Sequence, residues 1–137
     1  MNKTLLSFGF FLVALVGFSQ VKSGEKLVYA ASYNMSGLMT QIAQVKLETS
    51  TVKTAKNSYL HLSCEAATYS KWDSFFKIRD LYESYVNPTT LKPSMYKRDI
   101  TEGSYTKKEK YTFTNGGTTV NSVVQKQKRP EKKKTFT

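Results

Sequence analysis

The sequence is poor in the residues that make cross-links and metal sites. Cysteine and histidine each occur once among 137 residues, as Cys64 and His61. A single cysteine excludes an intramolecular disulfide, and one residue of each kind excludes a structural zinc site. The fold must therefore be stabilised by packing, and we expect no cofactor.

Acidic residues are also scarce, with 10 Asp and Glu against 21 Lys and Arg and a net charge of +11. Residues 107–134 hold nine of the basic residues and only two acidic ones. Such a cluster could attract anionic lipid, acidic glycan or nucleic acid. We favour a solvated strand edge whose lysines discourage association. As partners, a lipid, a glycan or another envelope protein rank above nucleic acid.

Long apolar runs are absent except near the N-terminus. Residues 5–18 carry no charge and follow Lys3, but 14 residues fall short of the roughly 20 that span a bilayer. Gly17 and Ser19 are small, as a signal peptidase requires, and they predict cleavage between Ser19 and Gln20. Residues 1–19 thus read as a signal peptide. We expect a protein exported to the periplasm or cell envelope, without a lipidation cysteine or later transmembrane segment.

The rest of the chain alternates between apolar and polar residues with the period of two that is typical of strands. Nine Tyr and eight Phe add to this tendency. Turn residues separate the segments, and Asn115-Gly116-Gly117 is the strongest hairpin signal. The alternation predicts strands at residues 26–35, 39–49, 59–67, 81–86, 95–102, 105–114 and 118–127, which form one mainly β domain over residues 20–137.

One segment has a different period. Trp72, Phe75, Phe76 and Arg79 recur at spacings of three and four, which predicts one short helix near residues 70–78, with Ser70 as its cap. We expect the aromatic stripe to pack into the core rather than to hold a ligand. Together with Tyr82 and Tyr85, these aromatic residues are the candidates for a ligand face or core.

The sequence shows no arrangement of residues that is typical of nucleophilic catalysis. His61 and Cys64 are three residues apart, so a strand places them on opposite faces, where they cannot form a dyad. Cys64 reads as a small buried hydrophobe. The sequence contains neither a phosphate-binding glycine loop nor a Gly-x-Ser-x-Gly elbow.

Paired carboxylates could serve as a general acid and base. The two candidate pairs, Asp80 with Glu83 and Asp99 with Glu102, have odd spacings, and a strand would split each pair between its faces. Ion pairs across neighbouring strands are the simpler interpretation.

Four segments resemble the bacterial family of exported proteins known as domain of unknown function 3108. They are residues 24–29 (GEKLVY), 76–86 (FKIRDLYESYV), 91–93 (LKP) and 102–105 (EGSY). The resemblance implies a curved antiparallel sheet, a spiral roll or half-barrel, in an envelope protein of unknown activity. Relatives are expected to continue for about as many residues again, so the resemblance also implies a fold truncated at its C-terminus.

Two functional classes remain. The first is a non-catalytic binding or structural module that holds an apolar or amphipathic ligand, or a partner, on the concave face of its sheet. The second is an enzyme whose active site a missing C-terminal half completes. We favour the first and expect no enzyme activity.

Overall fold

A computed structural model describes residues 21–137; the predicted signal peptide lies outside the described residues. Eight strands follow one another as an antiparallel meander in which each strand pairs with the next. Within the described residues the first and last strands do not pair, so the sheet is not closed. The strands are β1 (Lys26–Met35), β2 (Leu38–Lys53), β3 (Ser58–Thr68), β4 (Ile78–Val86), β5 (Pro93–Glu102), β6 (Tyr105–Thr114), β7 (Thr119–Lys126) and β8 (Lys132–Phe136).

The predicted strands are confirmed, and β1 and β6 have the predicted bounds. Two irregularities bend the meander. The β1–β2 register shifts after Ala31, and the β4–β5 register shifts after Tyr85. An unpaired extra residue in one strand increases its local bend and twist.

The strand register defines two faces, because residues paired across neighbouring antiparallel strands point to the same side. Leu60 pairs with Val86, and Asp80 pairs with Ile100. We name the face that carries these four residues the inner face, and the other the outer face. The buried residues of the described part of the chain all lie on the inner face: Ala43, Leu60, Thr68, Asp80, Val86, Ile100, Glu109 and Ser122. Burial of one face of a single sheet indicates that the sheet curls toward that face.

The helix predicted near residues 70–78 is wrong in extent. One 3-10 turn, Ser70–Trp72, replaces it, and no side chain caps its start. Ile78 already belongs to β4, where it pairs with Glu102. Among residues 21–137 this loop contacts the β1–β2 hairpin through hydrogen bonds to β2, but no second layer covers it, so an amphipathic helix would have no apolar surface to pack against.

The loop is held instead by a carboxylate at its centre. Asp73 accepts hydrogen bonds from the Thr68 hydroxyl at 2.7 Å and from the Arg79 guanidinium at 2.6 Å. Both bonds lower the pKa of Asp73, and the bond from Thr68 has a larger effect than the bond from Arg79. The connection between β3 and β4 is therefore fixed by polar contacts and leaves its aromatic residues free of the core.

Candidate functional site

An apolar groove crosses the inner face over β1 to β4. It has a volume of about 300 Å³. Its lining is mostly apolar and includes Leu27, Leu47, Leu62, Cys64 and Tyr82. Leu27 and Leu47 are each more than a third exposed, so the groove is open to solvent. A groove of this size and lining fits one flexible hydrocarbon chain.

A single row of paired residues connects this groove to a charged cluster. Each residue in the row is the register partner of the next, so neighbouring side chains are close enough to contact. From β1 to β6 the row reads Leu27, Leu47, Cys64, Tyr82, Arg98 and Glu109. It changes from apolar to charged at Tyr82. The arrangement matches a molecule that has an apolar tail and a polar head.

Glu109 is the centre of the charged cluster. Its side chain is only 8% exposed and lies 2.8 Å from the Lys107 ammonium and 3.4 Å from the Arg98 guanidinium. The Tyr111 hydroxyl donates a third hydrogen bond at 3.1 Å. Burial raises the pKa of Glu109, but the hydrogen bonds from Lys107 and Tyr111 outweigh it and hold the pKa below its usual value. Glu109 is therefore ionised at neutral pH.

The cluster has one positive charge in excess, since Arg98 and Lys107 face the single carboxylate of Glu109. The hydrogen bond to Glu109 raises the pKa of Lys107, so Lys107 stays charged. The Arg98 guanidinium lies 5.3 Å from the centre of the Tyr82 ring, and its Nε is buried without a hydrogen-bond partner among the described residues. In the described part of the chain the buried Nε is thus unsatisfied, while a third of the Arg98 side chain is exposed on the inner face.

Two tyrosines flank the cluster. Tyr96 and Tyr111 are register partners, with ring centroids 6.0 Å apart. Burial raises the pKa of both hydroxyl groups. Both remain protonated at neutral pH; because Tyr111 already donates to Glu109, Tyr96 is the one that adds a neutral hydrogen-bond donor beside the positive charges.

A second polar chain lies on the outer face. Oγ of Ser50 is 3.4 Å from Nδ1 of His61, whose Nε2 is 2.9 Å from Oε1 of Glu83. The Tyr85 hydroxyl also donates to Glu83 at 3.0 Å, and the Tyr85 ring stacks on His61 at 4.5 Å. The arrangement has the order of a serine, histidine and carboxylate relay, although the serine contact is long.

The aromatic residues predicted as a ligand face or core do not form one group. Tyr82 lines the inner groove, whereas Tyr85 lies on the outer face. Trp72, Phe75 and Phe76 lie in the β3–β4 loop, and Phe75 and Phe76 are 84% and 52% exposed. The prediction that the aromatic stripe packs into the core is wrong for Phe75 and Phe76, over which the described part of the chain places no second layer, whereas Trp72 is partly buried against β2.

The separation of His61 from Cys64 is confirmed, since they pair with Tyr85 on the outer face and Tyr82 on the inner face, respectively. Cys64 is only partly buried, which corrects the expectation of a buried hydrophobe. It is partly exposed because its strand faces the open groove.

The candidate carboxylate pairs are split between the faces as predicted. Asp99 forms the expected cross-strand ion pair, with Lys108 at 3.0 Å. Asp80 forms none with residues 21–137: it is buried and accepts a hydrogen bond from the Thr101 amide at 3.2 Å. Burial raises the pKa of Asp80 above its usual value.

The basic residues of 107–134 lie on both faces of the sheet. Lys107 points inward to Glu109, which corrects the expectation of a wholly solvated edge. Lys108, Lys110 and Lys133 line a recess of about 550 Å³ on the outer face, together with Glu131. Alternation along β6 sends Lys107 to one face and its neighbour to the other.

Residues 21–137 contain no group of three or more His, Cys, Asp or Glu that could hold a metal ion. In the same part of the chain no helix is long and apolar enough to cross a membrane.

Replacing Cys64 with Ala should cost about 1 kcal/mol of unfolding free energy, because a partly exposed thiol loses less than a buried one. Urea unfolding monitored by circular dichroism measures the change. A loss above about 3 kcal/mol would mean that Cys64 is part of a close-packed core rather than the wall of an open groove.

Comparison with known proteins gives one relationship. The model of a family described as "Protein of unknown function (DUF3108)" matches residues 28–137. No curated protein and no solved structure matches the chain.

Proposed function

The chain belongs to the DUF3108 family, and we propose that it is a non-catalytic binding module of the cell envelope that holds an amphipathic anion on its inner face. The proposal is carried by the continuity of the apolar groove with the Arg98–Lys107–Glu109 cluster. The ligand's hydrocarbon chain lies along Leu27, Leu47 and Leu62, and its anionic head contacts Arg98.

The charge balance selects the sign of the head group. A cationic head would be repelled by Arg98 and Lys107. Glu109 could not attract it effectively, because both of these residues already form ion pairs with Glu109. An anionic head neutralises the excess positive charge and can accept hydrogen bonds from the guanidinium and from Tyr96. A carboxylate, phosphate or sulfate fits this description.

The envelope location rests on the N-terminal pattern, in which a basic residue, an apolar run and small residues precede Gln20. Intact-mass measurement of the exported product tests it. The expected mass is that of residues 20–137, and a product that retains residues 1–19 would contradict the proposal.

Calorimetric titration with three dodecyl amphiphiles tests the ligand class. Below their critical micelle concentrations, dodecanoate should bind at least tenfold more tightly than dodecyltrimethylammonium, because a charge-assisted hydrogen bond contributes about 1.5 to 3 kcal/mol. A neutral dodecyl glycoside should lie between them. Equal affinity for all three would mean that the protein binds the hydrocarbon chain and does not recognise the head group, and this result would overturn the proposal.

Acid–base catalysis at Ser50, His61 and Glu83 is a second candidate, favoured by the two hydrogen-bond distances that connect them. A strand, however, uses its backbone amides within the sheet, so none is left to stabilise an oxyanion. Ester hydrolysis that is lost in both Ser50→Ala and His61→Gln would establish this candidate. Equal rates in the wild type and both variants would exclude it.

A further inference from the structure

The turn between β1 and β2 exposes large apolar side chains. Tyr33, Met35, Leu38 and Met39 are 61%, 40%, 70% and 66% exposed. The pairing of β2 with β3 begins only at Ala43, so this hairpin extends beyond β3. Exposed apolar groups that cluster in one place mark a contact surface.

The β3–β4 loop lies against this hairpin and adds aromatic residues to it. The Trp72 indole donates to the carbonyl of Gln41 at 3.0 Å, and the Tyr69 amide donates to the carbonyl of Ile42 at 3.0 Å. The exposed Phe75 packs edge-on against Trp72 at 6.0 Å. We name this combined surface, residues 33–39 and 69–77, the apolar tip.

The unpaired charges at the apolar tip are positive. Lys71 lies 5.6 Å from the centre of the Trp72 ring, and Lys77 is exposed. The one acidic residue of the tip, Asp73, is bound to Arg79. Alternating strand directions place the basic turn that contains Lys128 at the same end of the sheet.

The opposite end of the sheet differs. Its turns, residues 54–57, 87–92 and 115–118, are rich in Asn, Thr and Gly, and Leu91 is the large apolar residue that they expose. The apolar surface is thus a property of one end and not of turns in general.

We propose that the apolar tip docks the protein on the surface of an anionic lipid bilayer. Leu38, Met39 and Phe75 enter the interface between head groups and acyl chains, while Lys71 and Lys77 contact lipid phosphates. Trp72 belongs to the residue type that favours this depth. The proposal stands independently of the ligand on the inner face.

The tip contains its own probe, because Trp72 is the only tryptophan of the chain. Vesicles of phosphatidylcholine with phosphatidylglycerol should shift the Trp72 emission of the processed protein, residues 20–137, to the blue. Lipids brominated on their acyl chains should quench it. Unchanged emission with every vesicle composition would overturn the proposal, and so would association between copies of the protein in place of vesicle binding.

The double variant Leu38→Thr/Met39→Thr tests insertion while it leaves Trp72 itself in place. Its partition coefficient should fall about tenfold for each side chain. Leu91→Asn is the matched control at the opposite end, where its positive φ of 55° suits asparagine, and binding should be unchanged. Equal losses in both variants would contradict docking through the tip.

The lysine contribution has its own matched pair of variants. Lys77→Gln should weaken binding to the phosphatidylglycerol vesicles about fivefold and leave binding to pure phosphatidylcholine unchanged. Lys56→Gln, in a turn at the opposite end, should affect neither. If Lys56→Gln had the larger effect, the basic surface in contact with lipid would lie elsewhere.

Discussion

Replacing Glu109 with Gln should lower the free energy of unfolding by about 2 to 3 kcal/mol. The substitution keeps the size of the side chain but removes the charge that Lys107 and Arg98 share. These two cations then remain close together on the inner face without a counterion. The loss stays below that of a fully buried pair because Lys107 and Arg98 are 26% and 33% exposed.

The same substitution should change the pH dependence of stability. The pKa of Glu109 is lowered in the fold, so its contribution is present above the unfolded value of 4.5 and disappears as the pH falls through the folded pKa. The pKa of Lys107 is raised, so its contribution is present below 10.5 and disappears as the pH rises through the folded pKa. Burial raises the pKa of Asp80, so its ionised form destabilises the fold. Protonation of Asp80 at acidic pH therefore increases stability, whereas protonation of Glu109 decreases it.

Urea unfolding between pH 3 and pH 7 measures the loss of stability and the part of its pH dependence that comes from Glu109 and Asp80. Asp99→Asn is the control, because it removes a carboxylate from an ion pair on the outer face whose side chains are about half exposed or more. Such surface pairs contribute less than about 1 kcal/mol. If Glu109→Gln were no more destabilising than Asp99→Asn, the inner cluster would not be a structural centre of the sheet.

Replacing Arg98 with Met should weaken the binding of dodecanoate about 10- to 100-fold and leave the neutral dodecyl glycoside almost unaffected. Met retains much of the apolar length of the arginine side chain and can still cover the Tyr82 ring. The variant therefore removes the guanidinium and keeps most of the packing on the inner face.

Lys97→Met is the matched control for this experiment, because Lys97 precedes Arg98 and points to the outer face. It removes the same charge from the protein, so any general electrostatic effect is shared by both variants. Calorimetric titration at one ionic strength compares them. An equal loss of affinity would show that the anion responds to net charge and not to the inner cluster.

The period of two in the sequence was sufficient to predict β1 to β7, but not β8, whose lysine-rich sequence does not alternate. Residues 105–114, for example, alternate without interruption, and β6 has those bounds. The period of three and four after Ser70 predicted a helix that does not form. Hydrophobic period indicates which residues could share a face, but a helix also needs an apolar layer to pack against, and the described residues provide none over the β3–β4 loop, which contacts β2 through hydrogen bonds.

The charged end of the site could not be predicted because it depends on strand register. Lys107, Glu109 and Tyr111 share a face of β6 by spacing alone, and this signal was present in the sequence. Their contact with Arg98 and Tyr82 requires the pairing of three strands and a register shift between β4 and β5. The grouping of Tyr85 with Tyr82 failed for a different reason, which was readable from the sequence: their odd spacing places them on opposite faces of β4.

The most direct test of ligand binding on the inner face is the rate of thiol labelling at Cys64, the only cysteine of the chain. Cys64 is partly exposed in the wall of the groove, so a small maleimide should label it in the free protein. Dodecanoate should slow this labelling in proportion to occupancy, and dodecyltrimethylammonium at the same concentration should not. Labelling that keeps its full rate when dodecanoate is bound to saturation would place the ligand elsewhere and contradict the account.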